Sequence, residues 1–79
     1  MEYAEVVRNA AIQVFSYELE DLREIWEVDL WDENLIDSLG FVSLISQLED
    51  RLGITIDLRS VRLELIRSFD SIANFLAER

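Results

Sequence analysis

The spacing of apolar residues constrains the fold of this chain more than any other feature. Between positions 38 and 52, apolar side chains recur at offsets of 0, 3, 4, 7 and 11 residues: Phe41, Leu44, Ile45, Leu48 and Leu52. This spacing places them on one face of an α-helix and commits that face to a core. Positions 2–17 show the same three- and four-residue spacing, and the chain has no proline. The pattern predicts amphipathic helices over 2–17 and 38–52.

The C-terminal part of the sequence predicts one short helix and one longer helix. Residues 59–66 carry apolar side chains in a weaker pattern, which indicates a short helix. Three arginines are expected to face outward from it: Arg59, Arg62 and Arg67. Ser68 is a typical N-cap residue, and the apolar spacing after it predicts a helix over 69–78.

Residues 18–36 connect the first two helices and lose the regular spacing, yet they keep large apolar residues among many acids. A connection of this length without structure is uncommon, and its apolar content argues against disorder. We therefore expect a long ordered loop with a helical turn near residues 20–26. The predicted fold is all-α: a small four-helix bundle with three longer helices and one short helix, in a single domain over 1–79.

The residue types that the chain lacks exclude several chemistries. Without cysteine there is no disulfide or thiolate metal site, and without histidine the usual Ser-His and Cys-His catalytic pairs are absent. A glycosidase-type carboxylate pair needs a cleft that a core of 79 residues cannot readily enclose. A calcium loop starting at Asp29 fails because Trp31 occupies its third position and Asn34 its sixth, where glycine is needed. We expect no catalytic residues and no metal site.

The charge of the chain is strongly negative and unevenly distributed. The formal net charge is −10, and residues 18–37 hold nine acids and one arginine, a local charge of −8. Nucleic acid is a disfavoured partner, because phosphate backbones are bound mainly by lysine and arginine. The acidic segment either attracts basic partners or only makes the surface soluble.

The sequence shows no targeting or membrane-spanning pattern. No apolar run approaches the roughly 18–20 residues of a membrane span. The start Met-Glu-Tyr-Ala-Glu lacks the basic and then apolar pattern of a signal peptide. We expect a cytoplasmic monomer that is a freestanding protein rather than an excised domain.

One serine stands at the start of the helix predicted over 38–52. Asp37 and Ser38 are both residue types that cap helices by accepting hydrogen bonds from first-turn amides. Ser38 is therefore either an ordinary cap or a functional hydroxyl at the helix start. Leu39 and Val42 lie three residues apart and off the core face. They either form a docking spot beside Ser38 or pack beneath the preceding loop.

A longer motif surrounds this serine. Residues 33–45 read Glu-Asn-Leu-Ile-Asp-Ser-Leu-Gly-Phe-Val-Ser-Leu-Ile, and Leu-Gly-Ile-Thr-Ile follows at residues 52–56. With the overall length, these residues resemble the loop and second helix of the acyl and peptidyl carrier protein family. The resemblance implies that Ser38 receives a 4'-phosphopantetheine arm from coenzyme A through a separate phosphopantetheinyl transferase.

The same resemblance implies a role and a set of partners. Asp37, Leu39 and Val42 match positions at which carriers contact partner enzymes, and Gly40 would keep side-chain bulk away from the phosphate. The partners would be the transferase, an adenylating or acyl-loading ligase, and a downstream acyl transferase or synthase. The chain would hold an acyl or aminoacyl group as a thioester and would catalyse no reaction itself.

The sequence leaves alternatives beside a general acyl carrier. The form Leu-Ile-Asp-Ser-Leu-Gly is similar to D-alanyl carriers and freestanding aminoacyl carriers. Ser43 and Ser46 stand where fatty-acid carriers often have acids, which disfavours a fatty-acid role. An alternative of another class is an unmodified acidic helical interaction module, in which Ser38 only caps the helix.

Overall fold

Four α-helices and two short 3-10 helices make up the computed structural model, which describes residues 2–78. In chain order the α-helices are α1 (Tyr3–Phe15), α2 (Leu19–Ile25), α3 (Ser38–Leu52) and α4 (Phe69–Glu78). α1 packs against both α3 and α4. Residues 2–78 contain no β-strand, so the predicted all-α bundle is confirmed. The predicted domain also includes Met1 and Arg79, which lie outside the described residues.

A single apolar core joins the helices. α1 contributes small side chains at its centre, and Val7, Ala10 and Ala11 are completely buried there. Small residues at a helix crossing let the neighbouring helix axes come close. α3 and α4 supply the larger core side chains: Phe41, Leu44, Ile45, Leu48, Phe69, Ile72 and Leu76. No charged or polar side chain is buried in the part of the chain that the structure describes.

α1 ends earlier than the predicted boundary at residue 17. Ser16 adopts a left-handed backbone conformation with φ 59° and ψ 32°, and its N–H donates to the Ile12 carbonyl at 2.9 Å. This geometry stops the helix at Phe15. Tyr17 then places its ring against Phe15 and Phe69, at centroid distances of 5.8 and 6.5 Å.

The connection between α1 and α3 is ordered, as predicted, and α2 is the helical turn expected near residues 20–26. Two tryptophans of the connection, Trp26 and Trp31, attach it to residues 66–70, at and just before the start of α4. The Trp26 indole N–H donates to the Asp70 carboxylate at 3.2 Å, and the Trp31 indole N–H donates to the Ile66 carbonyl at 3.3 Å. The aromatic residues therefore anchor a segment that lacks regular helical spacing.

An ion pair between Asp29 and Arg67 also holds the connection between α1 and α3 in place. Arg67 Nε donates to Asp29 Oδ2 at 2.6 Å, and the amide of Asp32 donates to Asp29 Oδ1 at 3.1 Å. The Asp32 amide, followed by the Arg67 guanidinium, lowers the pKa of Asp29. The pair raises the pKa of Arg67 in turn. The prediction that Arg67 faces outward is wrong, because its side chain turns back to this carboxylate.

The prediction of one short helix over 59–66 is also wrong. Two 3-10 helices, Leu58–Ser60 and Leu63–Ile66, occupy this stretch, and Arg62 between them has an extended backbone with φ −76° and ψ 142°. Leu63 and Leu65 remain 52% and 37% exposed. The extended backbone at Arg62 separates the two short helices, so the stretch does not form one continuous helical face.

None of the helices within residues 2–78 combines the length and apolar character needed to cross a membrane.

Candidate functional site

Asp37 and Ser38 have different structural roles at the start of α3. Asp37 has an extended backbone, and its Oδ1 accepts a hydrogen bond from the Gly40 amide at 2.7 Å. Its carbonyl accepts from the Phe41 amide at 2.9 Å. Asp37 is therefore the N-cap, and Ser38 is the first helical residue. The Ser38 side chain is exposed and forms no hydrogen bond with any residue in the range 2–78.

The helix end beside Ser38 favours negative charge. α3 has 15 residues, and the first amides of such a helix have no carbonyl acceptor one turn earlier. The Asp37 carboxylate accepts a hydrogen bond from the Gly40 amide, and the amides of Ser38 and Leu39 are left pointing out of the first turn. These amides and the helix dipole together create a positive end that suits an anion.

Gly40 contacts the aromatic end of α1. A Cβ atom on residue 40 would lie 2.8 Å from Cε1 of Phe15 and 3.1 Å from Oδ1 of Asp37. The absent side chain therefore makes room for the Phe15 ring and the capping carboxylate. This packing, rather than clearance for a phosphate, is the role that the contacts of Gly40 indicate.

Leu39 and Val42 are exposed on the surface of α3. Leu39 is 76% exposed and Val42 is 54% exposed, which contradicts the alternative that they pack beneath the preceding loop. The loop instead covers Phe41, whose ring meets that of Trp31 edge-on at a centroid distance of 5.5 Å. The two exposed side chains leave an apolar surface next to Ser38.

An open cavity of about 370 Å³ lies beside the N-cap of α3. Its lining combines the end of α1 with the residues before Ser38: Phe15, Asn34, Leu35, Ile36 and Asp37. Sequence reasoning missed Phe15 and Asn34 as neighbours of the site. The residue type at position 34 is a possible sequence signal, because asparagine tolerates a positive φ better than most residues. Asn34 does adopt such a conformation, with φ 55°.

A family model described as the phosphopantetheine attachment site matches residues 5–76 of the chain. The chain belongs to the phosphopantetheine-binding carrier protein family. The cofactor of this carrier protein is phosphopantetheine, the group that members of the family hold covalently.

Two relatives of this carrier protein are D-alanyl carrier proteins of Streptococcus suis. The protein of strain 05ZYH33 is 38% identical over 56 residues, which cover 71% of this chain and 67% of the relative. The protein of strain 98HAH33 is 36% identical over the same length and coverage. No solved structure matches this carrier protein significantly.

Few side chains of this carrier protein near Ser38 could act as a base, a nucleophile or a metal ligand. The sequence contains no histidine and no cysteine, and the carboxylate of the preceding residue, Asp37, accepts from the Gly40 amide. Residues 2–78 contain no group of three acidic side chains that could hold a metal ion. An exposed hydroxyl in such surroundings can be presented to another protein, but the neighbouring side chains offer it no imidazole base.

Proposed function

We propose that this chain is a freestanding carrier protein that holds an acyl or aminoacyl group as a thioester on a phosphopantetheine arm attached to Ser38. The observation that carries the proposal is the exposed Ser38 hydroxyl, which the cap leaves unbonded at the positive end of α3. The hydroxyl lies within the region that the family model matches. The arm would supply the thiol that a sequence without cysteine lacks.

The residues around Ser38 suit an attached phosphodiester. The Asp37 cap accepts from the Gly40 amide and leaves the first-turn amides of Ser38 and Leu39 at the positive helix end, where a negative phosphate is favoured. In the attachment step the Ser38 oxygen forms a bond to the phosphorus of coenzyme A that carries the pantetheine. The bond from that phosphorus to the nucleotide portion breaks, and the hydroxyl proton passes to a base of the transferase.

The proposed partner surface is the start of α3. Leu39 and Val42 offer exposed apolar area next to Ser38, and Asp37 adds a negative charge at the same end. Partners would be the phosphopantetheinyl transferase, an adenylating or acyl-loading ligase, and a downstream acyl transferase or synthase. The acidic segment over residues 18–37 would speed the approach of enzymes with basic surfaces.

A D-alanyl group is the cargo that the relatives favour. Two proteins named D-alanyl carrier protein are 36% and 38% identical to this chain. The exposed hydroxyls of Ser43 and Ser46 leave the outer side of α3 without acids near Ser38, which agrees with a carrier outside fatty-acid synthesis. The finer proposal is that the chain carries D-alanine for the modification of a cell-wall polymer.

The attachment site is tested by intact mass after incubation with coenzyme A and a broad-specificity phosphopantetheinyl transferase. The parent should gain the mass of one phosphopantetheine, and Ser38→Ala should gain none. Ser43→Ala is the matched control, because Ser43 is also exposed on α3, and it should be modified like the parent. Modification of Ser38→Ala would place the arm elsewhere. No gain in the folded parent with several transferases would favour the unmodified interaction module.

The cargo is tested separately on the modified protein. Incubation with ATP, a D-alanine-activating ligase and either D-alanine or L-alanine should give a thioester only with D-alanine. Hydroxylamine should release that thioester. Loading by an unrelated acyl ligase, without loading by the D-alanine ligase, would keep the carrier function and overturn the D-alanyl subtype.

A further inference from the structure

A second open cavity lies between the N-terminal half of α1 and α2. Its volume is about 330 Å³, at the lower end of the range for small-molecule sites. Its lining comes from both helices and the residues after α2: Ala4, Arg8, Leu22, Arg23, Trp26 and Glu27. Arg8 lies seven residues before Phe15, roughly 10 Å along the axis of α1, so this cavity is separate from the surroundings of Ser38.

Two arginines give this cavity an unusual charge for such an acidic chain. Arg8 and Arg23 both line it, and within residues 2–78 neither forms an ion pair or a side-chain hydrogen bond. Glu27 is the acidic residue of the lining, so the lining carries a charge of +1. The segment that supplies Arg23 carries −8 over residues 18–37. The cavity is therefore a local site for negative charge on an acidic surface.

The rest of the lining is apolar and held in place. Leu22 is only 1% exposed and forms part of the core. The Trp26 ring stacks on Phe69 at a centroid distance of 5.9 Å and an interplanar angle of 30°. Its indole N–H donates to the Asp70 carboxylate, so both its position and its orientation are fixed. This wall of the cavity is ready to pack against an apolar group.

We propose that this cavity binds a small monocarboxylate with an apolar body of about five or six carbons. The body would pack on the half-buried side chains of Trp26 and Ala4, and the planar guanidinium groups of Arg8 and Arg23 match the two oxygens of a carboxylate. A single negative charge fits better than two, because Glu27 repels a second one. The proposal is independent of Ser38 and of its modification.

Titration of the 15N-labelled full-length chain with hexanoate tests this proposal. The cross-peak of the Trp26 indole N–H and the amide peaks of Arg8 and Arg23 should shift in a saturable way. The Kd should be on the order of 1 mM, as expected for a ligand of about eight non-hydrogen atoms. Hexan-1-ol and hexylamine carry the same body without a carboxylate, and both should bind at least tenfold more weakly.

Four variants distinguish recognition of the carboxylate from nonspecific apolar binding. Arg8→Gln and Arg23→Gln should each weaken hexanoate binding about tenfold, because each removes a charged donor. Arg59→Gln is the matched control, since Arg59 pairs with Asp57 outside the cavity, and it should bind like the parent. Ser38→Ala should also bind like the parent.

Two results would overturn the proposal in folded variants, as judged by the dispersion of their amide spectra. One is the absence of saturable shifts with hexanoate up to tens of millimolar. The other is equal binding of hexanoate and hexan-1-ol with no effect of Arg8→Gln or Arg23→Gln, which would make the cavity a merely apolar depression. Neither result bears on whether Ser38 is modified by a transferase.

Discussion

Gly40 and Phe15 approach each other so closely that a Cβ atom on residue 40 would lie 2.8 Å from Cε1 of the Phe15 ring. The contact joins the first turn of α3 to the last residue of α1. Phe15 is held in turn by Tyr17 and Phe69, at centroid distances of 5.8 and 6.3 Å. The orientation of the helix start that presents Ser38 therefore depends on an aromatic cluster formed by other elements.

Gly40→Ala should destabilise the protein by about 1 kcal/mol. The added methyl group forces the Phe15 ring or the Asp37 carboxylate to move, which costs about 1–3 kcal/mol in a packed site. The higher helix propensity of alanine offsets up to about 1 kcal/mol of that cost. Urea unfolding followed by circular dichroism measures the difference. Ser43→Ala, an exposed change on the same helix, should leave stability equal or slightly higher; a similar rise for Gly40→Ala would contradict the contact.

Asp37 should matter to stability as a cap and to partner binding as a charge, and two substitutions separate these roles. Asp37→Ala removes the acceptor for the Gly40 amide and should cost about 0.5–2 kcal/mol. Asp37→Asn keeps an acceptor oxygen and should cost much less, because asparagine caps helices as well as aspartate does. The asparagine variant should still be modified more slowly by the transferase if the charge assists docking. Equal stability of the alanine variant and the parent would argue against the cap.

The parts of the fold that the sequence predicts are those fixed by local chemistry. α3 begins after Asp37 and ends before Gly53, which has φ 65°, and both residue types signal helix boundaries without reference to the rest of the chain. Ser68 also caps as expected, because its hydroxyl accepts from the Ser71 amide at 3.0 Å. The apolar face of α3 follows from spacing alone.

The parts that the sequence does not predict depend on contacts between distant residues. Arg67 and Asp29 lie 38 positions apart, and nothing in the local pattern distinguishes Arg67 from its outward-facing neighbours. The approach of Phe15 to Gly40 is likewise visible only when α1 and α3 are packed. The exposure of Leu39 could not be predicted from the sequence, because it depends on whether the path of the preceding loop covers this side chain.

Leu39→Ala should reduce transfer by partner enzymes far more than it reduces stability. At 76% exposure the side chain contributes little to the core, so the free energy of unfolding should change by less than about 0.5 kcal/mol. A leucine that becomes buried against a partner contributes on the order of 1.5 kcal/mol, so loading should slow about tenfold. Rates of modification and of ligase loading measure the effect. Val42→Ala should behave in the same way to a smaller extent.

Leu63→Ala is the matched control for this surface. Leu63 is 52% exposed, close to Val42 at 54%, but it belongs to a 3-10 helix rather than to α3. It should leave loading rates unchanged. Equal losses of stability and of loading in the Leu39 variant would instead indicate that the side chain supports the fold.

Asp29→Asn should flatten the acid limb of the stability profile. The Asp32 amide and the Arg67 guanidinium lower the pKa of Asp29 in the folded protein relative to the unfolded chain. The carboxylate therefore contributes stability that is fully present above the ordinary aspartate pKa of about 4 and is lost as the pH falls below it. The Tm of Asp29→Asn should lie below that of the parent at pH 7, and the gap should narrow toward about pH 2. Glu24→Gln removes an exposed carboxylate of α2 that is not part of this ion pair, and the Tm at pH 7 should stay close to that of the parent. A constant gap for Asp29→Asn across the pH series would reject the ion pair as its cause.

Ser16→Gly should stabilise the protein by about 0.5–1 kcal/mol. Ser16 has φ 59° and ψ 32°, a left-handed conformation that costs a residue with a Cβ atom about 1–2 kcal/mol and that glycine adopts freely. Part of this gain is offset by the greater freedom of glycine in the unfolded chain. The amide that donates to the Ile12 carbonyl is unaffected, so the end of α1 should keep its geometry. Ser46→Gly makes the same change at an exposed position inside α3, where glycine should lower stability by about 0.5 kcal/mol. Opposite signs for the two variants in urea unfolding would establish that backbone strain, rather than the loss of a serine side chain, determines the effect at Ser16.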